Sequence, residues 1–215
     1  MNNYNEFTFQ VPRTLPIILL LDTSASMLRD NKIVELNLAV NEMVKVLKDI
    51  DSVHAAASLS VITFGGHAKK ILELTSVQDV PLLEFEANGD TPLGEALTIA
   101  KDMIEDKEII TSRTYRPVVV LVSDGMPNDD WTESFKTFKN EGRSSKCYCV
   151  SMGIGEDLSR TAIDILQKFS SGQEKIFLAK EAKDIHKFFG LVSDSVVSRT
   201  KSQNPNLITS ITQNI

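Results

Sequence analysis

Hydrophobic and polar positions follow two different periods along this chain. Near-continuous aliphatic runs of strand length, such as LPIILLLD at 15–22 and RPVVVLVSDG at 116–125, are typical of strands buried on both faces of a sheet. Between the runs, apolar residues return every three or four positions, which predicts helices with one buried stripe. The predicted strands are 15–22, 57–66, 68–76, 116–125, 146–155 and 175–179, and the predicted helices are 27–50, 91–106, 131–142, 159–170 and 182–198.

Strands that alternate with helices indicate an α/β fold, with a mostly parallel sheet covered by helices on both faces. The strands at 57–66 and 68–76 are joined by a short glycine turn, so we expect them to pair antiparallel and to add one edge strand. We divide the chain into an N-terminal arm (1–14), one domain (15–199) and a polar C-terminal tail (200–215) that we expect to be loosely held.

Composition and charge narrow the class of protein. The 215 residues suit a single domain, with 42% hydrophobic and 24% charged residues. The formal net charge of −6 argues against a nucleic-acid or anionic-membrane partner. The N-terminus does not resemble a signal peptide and no apolar run approaches the length of a membrane helix, so we expect a soluble, cytoplasmic protein.

The only cysteines are Cys147 and Cys149, which lie two residues apart on a predicted strand. Side chains so placed point the same way from Cα atoms too far apart for a good disulfide. With no second pair they give no zinc signature either. We therefore expect two buried thiols, which fits a reducing compartment.

Small oxygen-bearing side chains gather where strands should leave the sheet. Asp22, Ser24 and Ser26 follow the first strand in LLLDTSASM, Thr91 lies in NGDTP before a helix, and Asp124 follows the fourth predicted strand. Ligands of open α/β sheets bind outside the carboxyl ends of the strands, so we expect these five residues to converge. Two carboxylates and three hydroxyls suit Mg²⁺, Mn²⁺ or Ca²⁺ better than zinc or copper.

Five side chains leave at least one ligand position open, because Mg²⁺ binds about six oxygens. A water molecule or an outside oxygen must fill that position, and a Glu or Asp of another protein is a natural candidate. Each residue also has an ordinary structural role open to it. Ser24 and Ser26 suit helix caps, Thr91 suits an N-cap before a proline, and Asp124 begins a turn pair. Asp22 is the hardest to explain in that way, because an acid that ends a buried strand needs a partner.

These motifs resemble the metal-ion-dependent adhesion site, or MIDAS, of von Willebrand factor type A (vWA) domains. The match consists of D-x-S-x-S at 22–26, the Thr of GDTPLGEAL and the Asp of VVVLVSDGMPNDDW, and it covers about residues 15–199. The resemblance implies a three-layer, Rossmann-like, six-stranded sheet with one antiparallel edge strand. It also implies Mg²⁺ or Mn²⁺, in preference to Ca²⁺, and protein binding through the ion.

Within that family the sequence looks most like the small bacterial proteins of the tellurite-resistance TerY group. That likeness implies a role in tellurium resistance, stress response or phage defence, with kinase-like or phosphatase-like partners. One departure is Asp90, which stands where the family commonly has glycine and places another carboxylate beside Thr91.

The sequence contains few of the motifs that an enzyme would need, so we predict no catalytic residues. A haloacid-dehalogenase-type phosphatase would need a second aspartate where Ser24 stands, and neither a G-x-S-x-G elbow nor a phosphate loop occurs. The histidines His54, His67 and His186 are scattered and suit surface roles. We predict a metal-dependent adaptor, with a metal-dependent hydrolase and a metal-free scaffold as the alternatives.

A partner that binds the ion should also contact the rim of the site. Six residues next to the predicted ligands are candidates for that rim. Trp131 is either an exposed anchor or a side chain packed beneath its loop. The candidates are Met27, Asp90, Met126, Asp129, Asp130 and Trp131.

Overall fold

A single sheet organises the computed structural model, which describes residues 12–50, 55–172, 174–208 and 210–211. Its six strands lie in the order β3-β2-β1-β4-β5-β6. All neighbours are parallel except β2 and β3, so the predicted antiparallel edge strand is confirmed. The strands are β1 (Arg13–Asp22), β2 (Ala55–Gly65), β3 (His67–Ser76), β4 (Val118–Ser123), β5 (Tyr148–Ile154) and β6 (Phe177–Ala179).

Five α-helices cover the two faces of this sheet. Leu19 and Leu21 of β1 face a core shared with α1 and α5, whereas Ile18 and Leu20 face a core shared with α2, α3 and α4. This two-sided burial explains why the first strand is an unbroken aliphatic run. The helices are α1 (Lys32–Lys48), α2 (Leu93–Glu105), α3 (Trp131–Asn140), α4 (Arg160–Phe169) and α5 (Asp184–Lys201).

The order of strands reverses at β1, and this reversal positions the candidate site. The chain leaves β1 to form β2 on one side and later returns to form β4 on the other side. Leu21 of β1 lies beside Val122 of β4, so Asp22 and Ser123 end neighbouring strands at the same edge. The gap between the two connections at that edge is the usual ligand position in such sheets.

The starts of α1 and α2 differ from the sequence prediction in ways that affect the site. The segment 27–50 is not one helix, because a 3₁₀ stretch at Ala25–Asn31 precedes α1. Asp30 and Asn31 have positive φ angles of 55° and 57°, and this left-handed backbone breaks the helix. Likewise α2 begins at Leu93, and its N-cap residue is Pro92, which has no side chain able to cap the first turn. The N-cap role considered for Thr91 is therefore wrong.

The expectation of a loosely held tail is wrong for the described residues of 200–211. Arg199 is buried in the last turns of α5, where its Nε donates to the Pro205 carbonyl at 2.7 Å and its Nη2 to the Arg116 carbonyl at 2.8 Å. Ile211 is also buried, and its N–H donates to Glu174 Oε1 at 3.1 Å. The polar composition of this segment concealed these contacts.

The predictions for the cysteines, for membrane-spanning helices and for the N-terminal residues have separate outcomes. Cys147 and Cys149 are free and buried, as predicted. Among the helices of the described residues, none combines the length and the hydropathy needed to span a membrane. His54 and residues 1–11 of the predicted N-terminal arm lie outside the described residues.

Candidate functional site

Four of the five predicted metal ligands meet at the carboxyl ends of β1 and β4. The Ser24 hydroxyl lies 2.9 Å from the Ser26 hydroxyl, which donates to Asp124 Oδ1 at 2.6 Å. The backbone N–H of Ser24 donates to Asp22 Oδ1 at 2.9 Å. Oxygen atoms from two separate loops thus form one hydrogen-bonded group, which we call the oxygen cluster: Asp22, Ser24, Ser26 and Asp124.

Asp22 is fully buried at the base of the oxygen cluster. Burial raises its pKa to about 6, against the lowering effect of hydrogen bonds from Ser123 and Ser24, and the charge of Asp124 raises it further. A buried carboxylate with a raised pKa is costly to ionise in the absence of a nearby cation. The environment of Asp22 therefore favours a positively charged ligand.

Ser123 was not singled out in the sequence, although it directly precedes Asp124. Its hydroxyl donates to Asp22 Oδ2 at 2.6 Å, so both carboxylate oxygens of Asp22 accept hydrogen bonds. This contact links the end of β4 to the end of β1. The sequence offered a signal for it, since a serine that ends a strand buried on both faces must find a polar partner.

The spacing of the hydroxyl oxygens suits a small divalent ion. Neighbouring ligands of an octahedral Mg²⁺ lie roughly 3 Å apart, because each is about 2.1 Å from the ion. The distance of 2.9 Å between the Ser24 and Ser26 hydroxyl oxygens is close to that value. Within the described residues, no three His, Cys, Asp or Glu side chains group together as metal ligands. The donor set therefore fits a hard cation bound by a mixture of carboxylates and hydroxyls.

Thr91 lies in a loop that is bonded to both neighbouring loops of the site. The N–H of Thr91 donates to Asn128 Oδ1 at 2.9 Å, and the Asn128 N–H donates back to the Thr91 carbonyl at 3.2 Å. The Gly89 carbonyl accepts from Ala25 N–H at 2.9 Å. These contacts place the backbone of Thr91 between the loops after β1 and β4, and the side chain is buried with 8% exposure.

The backbone also approaches itself closely where β2 ends, beside the chain after β1 and the loop before α2. A Cβ at Gly65 would lie 2.1 Å from the Thr23 carbonyl oxygen, a distance that no side chain tolerates. Gly89 has a φ of +63°, and a Cβ there would lie 2.6 Å from Gly66 Cα. Glycine is therefore required at 65, where the end of β2 meets the chain after β1, and at 89, where the loop before α2 meets the turn between β2 and β3.

A lysine that sequence reasoning missed also bonds to the oxygen cluster. Lys32 Nζ lies 2.8 Å from Asp124 Oδ2, and the side chains are 13% and 0% exposed. The two residues are 92 positions apart in the chain. Nothing in the local sequence distinguishes Lys32 from a solvated lysine at a helix start, and only the kink at Asp30 and Asn31 sets the direction in which α1 begins.

One of the predicted rim residues is wrong, and three others are exposed. Met27 is fully buried in the core shared with α1, so its side chain cannot contact a partner in this conformation. Asp90 and Asp130 are exposed, and Met126 is 41% exposed. These three side chains remain accessible beside the oxygen cluster.

Asp129 and Trp131 each make a contact within the domain. Asp129 Oδ2 accepts the N–H of Glu95 in the first turn of α2 at 3.1 Å. Trp131 is half-buried, and its ring contacts Phe135 edge to face at a centroid distance of 5.6 Å. Of the two possibilities considered for Trp131, packing beneath the loop describes its position better.

Comparison with known protein families gives one match. The family model described as "von Willebrand factor type A domain" matches residues 17–126, about half of the chain. The matched stretch contains all five predicted metal ligands. A search of curated proteins finds no significant match.

Solved structures confirm the fold. Proximal thread matrix protein 1 from the mussel byssus is 18% identical, with a TM-score of 0.65 over 86% of this chain and 47% of that one. A second structure of the mussel protein, 16% identical with a TM-score of 0.63 over 86% and 48% of the two chains, is described with a zinc-occupied MIDAS motif. The ArnB paralog VWA2 from Sulfolobus acidocaldarius is 18% identical, with a TM-score of 0.59 over 90% and 46%. The chain spans about half the length of these proteins.

Proposed function

Since the chain belongs to the von Willebrand factor type A domain family, we propose that it is an adaptor that binds a partner protein through a divalent cation. The family is a known metal-dependent adhesion and protein-interaction module. The ion would be Mg²⁺ or Mn²⁺, and a Glu or Asp of the partner would complete its ligands. The proposed ligands are Asp22, Ser24, Ser26, Thr91 and Asp124.

The hydrogen-bonded oxygen cluster is the observation that carries this proposal. Hydroxyls at 2.9 Å from each other and a carboxylate at 2.6 Å come from loops that meet only in the folded protein. A bound cation would supply positive charge to the buried Asp22 and an open position for an outside carboxylate. The chain itself would hold the ion, orient it towards the exposed rim and leave room for a partner.

The relative with zinc in its MIDAS motif supports a divalent cation, but the donor set of this chain favours a harder ion. Carboxylate and hydroxyl oxygens suit Mg²⁺ and Mn²⁺, whereas zinc prefers imidazole and thiolate. Ca²⁺ often binds seven or eight oxygens and would then need two or three ligands besides these five side chains, whereas Mg²⁺ needs about one. Mg²⁺ or Mn²⁺ is therefore the proposed ion.

The setting of the adaptor is proposed from the sequence resemblance to the TerY group. It is a cytoplasmic bacterial stress-response, tellurite-resistance or phage-defence system with kinase-like or phosphatase-like partners. The two free, buried cysteines are compatible with a reducing compartment.

Isothermal titration with Mg²⁺ and Mn²⁺ tests the proposal directly. The wild-type protein should bind one ion, and Asp22→Ala and Ser24→Ala should each weaken binding strongly, because each removes a ligand oxygen. Asp194→Ala is the matched control, since Asp194 is an exposed carboxylate on α5 and its loss should leave binding unchanged. Circular dichroism should show that every variant is folded.

Two results would contradict the adaptor. Absence of ion binding in the wild type would favour a metal-free scaffold. Turnover of a generic phosphoester that needs both Mg²⁺ and Asp22 would favour a hydrolase. A pull-down with and without chelator, followed by mass spectrometry, should identify a partner retained only with the ion.

A further inference from the structure

Lys32 makes the one ion pair with the oxygen cluster within the described part of the chain. It is the first residue of α1, and its ammonium contacts Asp124 Oδ2 at 2.8 Å while Ser26 contacts Oδ1 of the same carboxylate at 2.6 Å. The Asp124 side chain is 0% exposed. The Lys32 ammonium thus contacts one oxygen of this carboxylate, and the hydroxyl of the proposed ligand Ser26 contacts the other.

We propose that Lys32 is a built-in counter-ion that shares Asp124 with the bound metal and limits how tightly the site holds it. This inference rests on the proposed function and adds a residue that controls the charge of the same site. Lys32 acts through Asp124, so it is a positioning residue and contributes no ligand atom to the metal.

The need for a counter-ion follows from burial. A buried carboxylate without a partner is strongly destabilising. If Lys32 were absent, Asp124 would lack a cationic partner whenever no metal is bound. Lys32 fills that role, because its own side chain is only 13% exposed and lies against the carboxylate. The same contact occupies Oδ2 and leaves Oδ1 bonded to Ser26, one of the proposed metal ligands.

The positive charge of Lys32 weakens the binding of the metal ion. A unit positive charge within roughly 6 Å of a divalent ion weakens binding by about tenfold, even in a water-like dielectric. In return, the loaded site keeps an excess of positive charge. Two carboxylates, one ammonium and one divalent cation sum to +1, whereas without Lys32 the sum is zero. That surplus positive charge attracts an incoming carboxylate of a partner, whereas a loaded site with a net charge of zero would attract it less.

The surroundings of Lys32 provide a matched control. Lys32 and Asp124 line a cleft of about 780 Å³ that extends from the oxygen cluster towards the starts of α4 and α5. Lys183 lines the same cleft, but its side chain is 70% exposed and pairs with Glu181 at 2.7 Å. Loss of the Lys183 charge should therefore affect the metal much less than loss of the Lys32 charge.

The test is the dissociation constant for Mn²⁺, measured by isothermal titration on the full chain. Lys32→Gln keeps an N–H donor for Asp124 but removes the charge, so it should bind Mn²⁺ about tenfold more tightly than the wild type. Lys32→Arg keeps the charge, and Lys183→Gln alters only the far part of the cleft, so both should stay within about twofold of the wild type. The rise in melting temperature on addition of Mn²⁺ should be largest for Lys32→Gln.

Tighter binding separates this inference from a purely structural role, because damage to the site would weaken binding. Equal or weaker Mn²⁺ binding by folded Lys32→Gln, or by Lys32→Met if the Gln variant is unfolded, would overturn the inference and leave the proposed function intact. Binding by Lys32→Gln without binding by the wild type would support the inference and refute the adaptor. Absence of binding in both proteins would refute both.

Discussion

At the scale of single residues, the carboxylate of Asp22 is fully buried and depends on hydrogen-bond donors from the protein. Both of its oxygens accept hydrogen bonds, from Ser123 Oγ at 2.6 Å and from Ser24 N–H at 2.9 Å. These donors partly offset the burial that raises its pKa to about 6. The stability of the domain should therefore depend on donors that make no contact with solvent.

Removal of the Ser123 hydroxyl tests that dependence. Ser123→Ala should lower the free energy of unfolding by about 1–3 kcal/mol at pH 7.5 without divalent cations, because a charged, buried oxygen loses its donor. Urea denaturation followed by circular dichroism measures the change. Ser198→Ala, on the exposed side of α5, should stay within about 0.5 kcal/mol of the wild type. Equal effects of the two substitutions would mean that Asp22 does not need this bond.

At the scale of elements, a histidine joins α5 to α1. His186 on α5 contacts Glu42 through Nδ1 and Glu35 through Nε2, both at 2.9 Å. Burial alone would lower the pKa of His186, but the hydrogen bonds and charges of Glu42 and Glu35 outweigh it, and the pKa is raised. The protonated histidine thus bridges two helices that pack on the same face of the sheet.

The raised pKa sets the pH range in which this bridge stabilises the fold. The contribution is complete below the ordinary histidine pKa of about 6.5 and is lost as the pH rises through the raised value. His186→Gln should therefore lower the free energy of unfolding by up to about 1 kcal/mol at pH 6 and by less at pH 9. Denaturation curves at the two pH values measure the difference.

Lys187→Gln is the control for the bridge, because Lys187 is 69% exposed and pairs with Asp184 on the same helix. Its effect should be small at both pH values. A loss of stability in His186→Gln that is the same at pH 6 and pH 9 would show that the charge of the histidine contributes nothing.

At the scale of the whole molecule, the C-terminal segment closes the end of the sheet opposite the oxygen cluster. Arg199 and Ile211 contact residues near the starts of β4, β5 and β6, namely Arg116, Tyr148 and Glu174. Tyr148 donates from its hydroxyl to Glu174, and both side chains are buried. The last described residues are therefore part of the core, although they are distant in sequence from the strands that they contact.

Truncation of one buried side chain tests this closure. Ile211→Ala should lower the free energy of unfolding by about 2 kcal/mol or more, because the buried side chain leaves a cavity. Leu207→Ala is the matched control, since Leu207 is 72% exposed and its loss should cost less than about 0.5 kcal/mol. Chemical denaturation compares the two variants, and similar small effects would mean that the segment is not docked in solution.

The sequence by itself determined the order and type of the elements, because buried strands and amphipathic helices leave local periodic signals. The aliphatic runs of β1 and β4 and the glycine turn before β3 predicted a mostly parallel sheet with one antiparallel edge, and the structure confirms it. The same runs placed Asp22 and Asp124 at strand ends, and so predicted that their loops meet. The metal, the partner and the TerY-like setting remain predictions.

Only the tertiary structure decided which side chains face one another. Met27 is buried in the 3₁₀ stretch before α1, and Lys32 reaches Asp124 from the helix start that follows the left-handed backbone at Asp30 and Asn31. No periodic pattern in the sequence signals that turn. Arg199 and Ile211 lie in or next to a polar stretch of sequence. Their burial becomes evident only from the contacts that they make near the starts of the strands. Contacts between distant segments depend on how the elements pack, whereas the elements themselves depend on neighbouring residues.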